Sequence, residues 1–165
     1  MKRVAEVESE LGTVYMLVDR TEDGLPYLER AAMVVERHEG AQSRSAFSAA
    51  TRLAAAYREV GRLPDSIEQS RKTVALLEHI EHSPREAAVV WMNLGKTLVQ
   101  QSDMPGALTA FEKSRGILEA AEEDAPLHDL LGMNLQDSAD VLEALGRGRE
   151  AQQLRERARA LSAPK

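Results

Sequence analysis

The residues best suited to metal chemistry are two histidines near the middle of the chain. His79 and His82 are three positions apart, with Glu78 and Glu81 beside them. Imidazole and carboxylate groups are common ligands of transition metals. The same composition is also typical of a segment where a helix ends and a loop begins. We interpret the segment as a connector, and the sequence predicts neither a metal site nor a cofactor.

Motifs of familiar catalytic centres are absent from the sequence. It has no glycine-rich phosphate loop after a strand pattern, no G-x-S-x-G and no H-E-x-x-H. It has no cysteine, which excludes thiolate catalysis and disulfide bonds. The carboxylates of Glu122, Glu123 and Asp124 form a charge run of the kind that usually lies solvated at a helix end. We therefore predict a protein without catalytic residues, and an enzyme or ligand carrier on a helical scaffold is the least favoured alternative.

Composition and charge limit the kinds of partner. The 165 residues are 43% hydrophobic but only 4% aromatic, so alanine and leucine must fill most of the core. The formal net charge of −6 disfavours binding to a phosphate backbone, which needs a clustered basic surface. No apolar run approaches the roughly 18–20 residues of a membrane span, and the charged start of the chain is unlike a signal peptide. We predict a cytoplasmic protein with no nucleic-acid or membrane partner.

The segment 91–114 predicts the architecture that positions the remaining polar residues. Its pattern indicates two helices that fold back on each other across a short break at 102–105. The small residues Gly95 and Ala107 allow the two backbones to approach closely. Large side chains are expected to fill the space around that contact, namely those of Trp91, Leu98 and Phe111.

The same pattern occurs three more times along the chain. The small residue of the first helix recurs at Gly12, Ala54, Gly95 and Ala139, at intervals of 42, 41 and 44 residues. We predict a single domain over 1–165, with repeats at approximately 3–40, 44–82, 84–122 and 127–162. Such repeats bury their apolar faces only by stacking on one another.

Helix-boundary signals lie where this division requires them. The run Ser83-Pro84-Arg85-Glu86 predicts a helix start with a serine cap, a proline in the first turn and a glutamate placed for a capping box. Pro64 and Pro105 fall just inside predicted second helices, where a missing N–H costs little. Gly61 and Gly146 follow the first helices of the second and fourth repeats.

The segment 91–114 resembles a tetratricopeptide repeat (TPR), whose pattern is W-x2-L-G-x2-Y followed by A-x3-F. The long period and the segment 24–31, GLPYLERA, resemble the kinesin-light-chain type of this family, as does His82-Ser83-Pro84 ahead of Asn93-Leu94-Gly95. The resemblance implies an all-α fold, a right-handed α-solenoid of four antiparallel helix pairs. It also implies that the first helix of each pair lines a concave groove.

On this register the groove displays polar side chains of mixed charge, which could bind a peptide through charge-assisted hydrogen bonds. The predicted groove residues are Glu10, Thr13, Arg52, Arg58, Asn93, Lys96, Gln100, Gln136 and Asp140. The predicted function is a non-enzymatic protein–protein interaction module whose partner is a peptide or protein segment. The chain would serve as the sensory or scaffold part of a bacterial regulatory system.

Three alternatives accompany this prediction. Some TPR domains bind the C-terminal carboxylate of a chaperone, and Asn93 and Lys96 suit that role while Glu6 and Glu10 oppose it. The chain could instead form a homodimer through its first helix, which has no preceding cap. It could also be a fragment of a larger multidomain regulator. In the last repeat Arg155 occupies the large apolar position, which suggests a helix that caps the stack.

Overall fold

The computed structural model describes residues 2–121 and 127–162, the side chains of Lys2 and Ser162 excepted. The predicted charge run at Glu122–Asp124 lies outside the described residues. Those that are described form eight α-helices and no strand, which confirms the all-α prediction. The helices are α1 (Lys2–Leu17), α2 (Thr21–Glu39), α3 (Arg44–Glu59), α4 (Leu63–Leu76), α5 (Pro84–Gln100), α6 (Met104–Ala120), α7 (His128–Ala144) and α8 (Gly148–Ser162).

The chain divides into two compact units, Met1–Glu81 and His82–Lys165, and each contains two helix pairs. In the first unit, α1 and α2 approach most closely where Gly12 meets Gly24. A Cβ atom on Gly24 would lie 2.8 Å from the Gly12 carbonyl oxygen and 2.7 Å from the Cβ of Tyr15. Only glycine allows the two backbones to lie this close, because any larger residue would force them apart.

The core of the first unit lies between α2 and α3. Leu25, Leu28 and Ala32 of α2 pack in one cluster with Leu53 and Ala56 of α3. The pair α3–α4 uses a polar contact at the equivalent close approach, where the buried Ser66 hydroxyl donates to the Ala54 carbonyl at 2.7 Å. Small apolar and small polar residues therefore serve the same purpose in different repeats.

The second unit has its own close approach between α5 and α6. A Cβ atom on Gly95 would lie 2.6 Å from the ring of Phe111, which is fully buried. Trp91, in contrast, is only partly buried, which is less than the pattern predicts. The buried aliphatic residues of the same two helices include Leu94, Leu98 and Leu118.

The helix boundaries follow the predicted chemistry. The Ser83 hydroxyl accepts from the Glu86 N–H at 3.2 Å, and the Glu86 carboxylate accepts from the Ser83 N–H at 2.9 Å, which completes the capping box. Pro64 and Pro105 lie in the first turns of α4 and α6, as predicted.

A residue with a left-handed backbone ends the first helix of every pair, seven positions after the small residue. Gly61 and Gly146 have φ of +76° and +74°, as the predicted boundaries require. Asp19 and Ser102 take this conformation in the other two pairs, with φ of 57° and 66°. Aspartate and serine adopt this conformation only at some energetic cost. The shared geometry is therefore kept even where the sequence has no glycine to indicate it.

Candidate functional site

One concave feature of the first unit is a cleft of about 250 Å³ between α1, α2 and α3, here called the α1–α3 cleft. It is lined by Ala5, Glu6, Ser9, Glu10, Ala31, Val35, Glu39, Arg44, Ser45, Ser48, Ala49 and Arg52. Two of the predicted groove residues, Glu10 and Arg52, belong to this lining.

Small apolar residues form the floor of the cleft. Ala5, Ala31 and Ala49 come from three different helices and are all buried. Because none of them extends beyond a methyl group, the space above them stays open. A floor of this kind can accept a small apolar side chain of a ligand, and it gains free energy by removing that side chain from water.

The two walls of the cleft carry opposite charge. Glu6 and Glu10 stand exposed on α1, whereas Arg44 and Arg52 stand exposed on α3. The guanidinium of Arg52 donates to the Ser9 hydroxyl at 2.9 Å, which directs it across the cleft towards α1. A ligand with a cationic group and an anionic group could therefore contact both walls at once.

The connection between α2 and α3 supplies further polar groups. Ser43 caps α3 by accepting from the Ala46 N–H at 3.1 Å. The Ser45 hydroxyl donates to the Glu39 carboxylate at 2.6 Å, and the Arg44 guanidinium lies 5.1 Å from the centre of the Phe47 ring. These contacts hold the side chains at the cleft mouth in place.

Sequence reasoning missed this contribution, because it assigned the groove to first helices only. Glu39 and Val35 belong to a second helix, and Arg44, Ser45 and Ser48 precede the stretch from which groove residues were selected. The serine cap at Ser43 is a signal that could have drawn attention to the polar residues of the first turn of α3.

The remaining predicted groove residues of the first unit do not line the cleft. Thr13 is partly buried, and its hydroxyl donates to the Ser9 carbonyl at 2.8 Å within α1. Arg58 is also partly buried, and desolvation lowers the pKa of its guanidinium. Both side chains are less available to a ligand than Arg52.

In the second unit, Lys96 faces an acidic residue of the neighbouring helix. Its ammonium nitrogen lies 3.5 Å from a carboxylate oxygen of Asp137. Burial raises the pKa of Asp137, and the positive charge of Lys96 opposes that rise. Each charge therefore offsets the other within the unit. Asn93 is partly buried, and Met92, the residue before it, is buried in the core.

The other polar groups of the second unit also contact each other. Gln136 donates to the Asp140 carboxylate at 3.0 Å, and Arg155 of α8 donates to Asp140 at 3.0 Å and to Glu143 at 2.5 Å. Arg155 thus occupies the position that the repeat pattern assigns to a large apolar residue, and from there it reaches two carboxylates of α7. Gln100 is exposed at the last residue of α5.

Two negative findings apply to the described part of the chain. His79 and His82 are exposed, and no group of three or more histidine, aspartate or glutamate side chains within residues 2–121 and 127–162 could hold a metal ion. None of the helices in the same ranges is both long and apolar enough to cross a bilayer.

Comparison with known proteins identifies the fold. No protein-family model matches the chain, and no curated protein matches it in sequence. Solved structures do match. BtubC (BKLC) from P. vanneervenii superimposes with a TM-score of 0.85 at 16% identity, over 98% of this chain and 66% of that one. This chain therefore spans about two thirds of the length of BtubC.

Two further structures agree. MamA matches with a TM-score of 0.73 at 17% identity, over 96% of this chain and 78% of that one. A set of nearly identical TPR-like repeats of the kinesin-light-chain type from Podosopora anserina matches with a TM-score of 0.63 at 17% identity, over 98% of this chain and 96% of that one. The chain therefore has a TPR-type fold, an all-α solenoid with kinesin-light-chain-like structural neighbours.

Proposed function

We propose that this chain is a non-enzymatic protein-interaction module that binds a peptide or protein segment, and that the α1–α3 cleft is its main contact surface. The observation that carries the proposal is the combination of a small apolar floor with two oppositely charged walls. The chain would act as the sensory or scaffold part of a bacterial regulatory system in the cytoplasm. A single domain of four repeats over 1–165 is part of the proposal.

The chemistry of the cleft favours a particular kind of segment. The floor suits alanine, valine or another small apolar side chain, because the whole cleft holds only about 250 Å³. A lysine or arginine near that side chain would pair with Glu6 or Glu10, and a carboxylate would pair with Arg52. Because these side chains are exposed, each pair contributes modestly, and the affinity depends on the floor as well.

The second unit contributes less to binding in this proposal. Lys96 and Asp137 offset each other, and Asp140 is engaged by Gln136 and Arg155. A ligand would have to break these contacts before it could replace them. Asn93 and Gln100 stay predicted groove residues of the second unit, outside the main contact surface.

Peptide selection tests the proposal. A displayed library of random peptides is selected on the intact chain, and the affinity of the enriched peptides is measured by calorimetry. We expect enrichment of peptides that combine a small apolar residue with a lysine or arginine. Arg52→Glu should weaken the binding of acid-containing peptides about tenfold or more, because the walls would then share one charge.

Arg71→Glu is the matched control, since Arg71 is an exposed arginine of α4 that does not line the cleft. Circular dichroism of both variants verifies that the helices are intact. Selected acid-containing peptides that bind the Arg52→Glu variant as tightly as the parent would rule out the α1–α3 cleft as the contact surface.

A further inference from the structure

α1 carries a stripe of apolar side chains on the face turned away from α2. The stripe consists of Val4, Val7, Leu11, Val14 and Val18, and these residues are between 37% and 61% exposed. Val18 follows the last residue of α1 and continues its turn, since its N–H donates to the Val14 carbonyl at 3.2 Å. Leu17, beside the stripe, is 79% exposed.

The same positions are buried in other repeats. Ala46, Ala49, Leu53 and Ala56 of α3 lie 42 positions after the first four stripe residues, and all are buried, three of them in the cluster with α2. In the second unit the equivalent positions of α7 are buried as well, and Asn134 there donates to the Phe111 carbonyl of α6. The stripe is therefore a helix-packing face, and a helix is the shape that covers it.

We propose that the stripe binds the α1 stripe of a second copy of this chain, with the two helices parallel. The spacing of the stripe residues alternates between three and four, which is the a and d pattern of a two-stranded coiled coil. A surface of this kind is self-complementary and forms a closed, two-fold dimer. None of the stripe residues lines the α1–α3 cleft, although Glu10 beside them does.

The charges beside the stripe favour the parallel arrangement. In a parallel coiled coil, the residue just before each a position lies opposite a residue of the other helix. That residue is the one just after the following d position. This brings Arg3 next to Glu8 of the second copy, whose carboxylate it would share with Arg30 of that copy, since Arg30 and Glu8 of one chain pair at 2.8 Å. It also brings Glu10 next to the Tyr15 hydroxyl, so both contacts are favourable. An antiparallel pair centred near Ser9 would instead bring Glu8 and Glu10 against the same acidic residues of the second copy.

The last helix does not fit the stripe. α2 covers α3 with Leu25, Leu28 and Ala32. The equivalent positions of α8 hold Gln152, Arg155 and Arg159. Burying these polar and charged groups against valine side chains would cost more free energy than the contact returns. Head-to-tail association into filaments is therefore disfavoured relative to the closed dimer.

Sedimentation equilibrium of the intact chain tests the inference. A helix of 16 residues is about 24 Å long and gives a small interface, so we expect a dimer with Kd on the order of 1–100 µM. Val14→Glu should raise this Kd at least about tenfold, because a carboxylate would be buried in the seam. Met133→Glu is the control: Met133 is another apolar residue that is 53% exposed, as Val14 is, and it lies outside the stripe. Its variant should dimerise like the parent.

Single cysteines then test the orientation, because the chain has none of its own. In a parallel pair Val7→Cys and Val14→Cys should each form a disulfide with the same residue of the second copy. A monomer at all concentrations, or equal dimerisation of the Val14→Glu variant with intact helicity, would overturn the proposal. Faster cross-linking between a Val7→Cys and a Leu11→Cys chain than within either variant would overturn the parallel arrangement.

Discussion

The two units share one frame of helix pairs but use their polar groups differently. In the first unit the charged side chains of α1 and α3 stand around an open cleft, with Glu10 on one wall and Arg52 on the other. In the second unit the corresponding helices pair their charges with each other, as Lys96 does with Asp137. Helix register alone therefore does not decide whether a surface is available to a partner, because neighbouring charges decide it as well.

The largest effect that tests this comparison is expected on the free energy of unfolding, at the close contacts within the helix pairs. Gly24→Ala would place a methyl group against backbone atoms of α1, whereas Gly95→Ala would meet only side-chain atoms, those of the Phe111 ring. We expect Gly24→Ala to lower the free energy of unfolding by about 3 kcal/mol and Gly95→Ala by about 1 kcal/mol. Urea unfolding followed by circular dichroism measures both. Equal, small losses would show that the close approach of α1 and α2 is not required.

An intermediate effect is expected from reversing a charge in the second unit. Lys96→Glu would put a second carboxylate beside the partly buried Asp137 and should destabilise the fold by about 1 kcal/mol. Its effect on the affinity for a selected peptide should stay within about twofold. Arg52→Glu, in contrast, should weaken the affinity and leave the stability unchanged. If both variants weakened binding equally, the contrast between the units would fail.

The smallest effect concerns the pH dependence of stability. Burial raises the pKa of Asp137 in the folded state, so the folded protein binds the proton more tightly than the unfolded chain does. The contribution of Asp137 is fully present below the ordinary aspartate pKa of about 3.9 and is lost as the pH rises through the higher, folded-state pKa.

Urea unfolding of the parent and of Asp137→Asn across this acidic range measures that contribution. The stability of the parent relative to the variant should fall as the pH rises. Asp129→Asn, an exposed aspartate of the same helix, is the matched control. A relative stability that rose with pH would mean that Lys96, rather than burial, dominates the pKa of Asp137.

Sequence patterns predicted the frame well because the frame depends on local chemistry and on spacing. The small residues at intervals of 41 to 44 mark the close approaches, and the capping box at Ser83 and Glu86 marks a helix start. The left-handed conformation of Asp19 and Ser102 could not be predicted, because neither residue requires it. The pattern also did not predict the partial exposure of Trp91. It specifies the helix face on which a residue lies but not how fully that residue is covered.

The candidate site was predictable only in part. Glu10 and Arg52 were found from the first-helix register, but the contributions of Glu39, Arg44 and Ser45 depend on how α2 ends and α3 begins. The pairing of Lys96 with Asp137 joins side chains 41 residues apart, a tertiary contact that residue spacing does not reveal.

Site-directed cross-linking tests the central claim most directly. Ser48 lines the cleft and Gln100 is a predicted groove residue of the second unit, so each is replaced in turn by the only cysteine of the chain. A selected peptide carrying a thiol-reactive group is then added at a concentration near its Kd. We predict rapid cross-linking to the Ser48→Cys variant that excess unlabelled peptide suppresses, and slow, unsuppressed labelling of Gln100→Cys. Rapid, competable cross-linking at Gln100→Cys without any at Ser48→Cys would contradict the account.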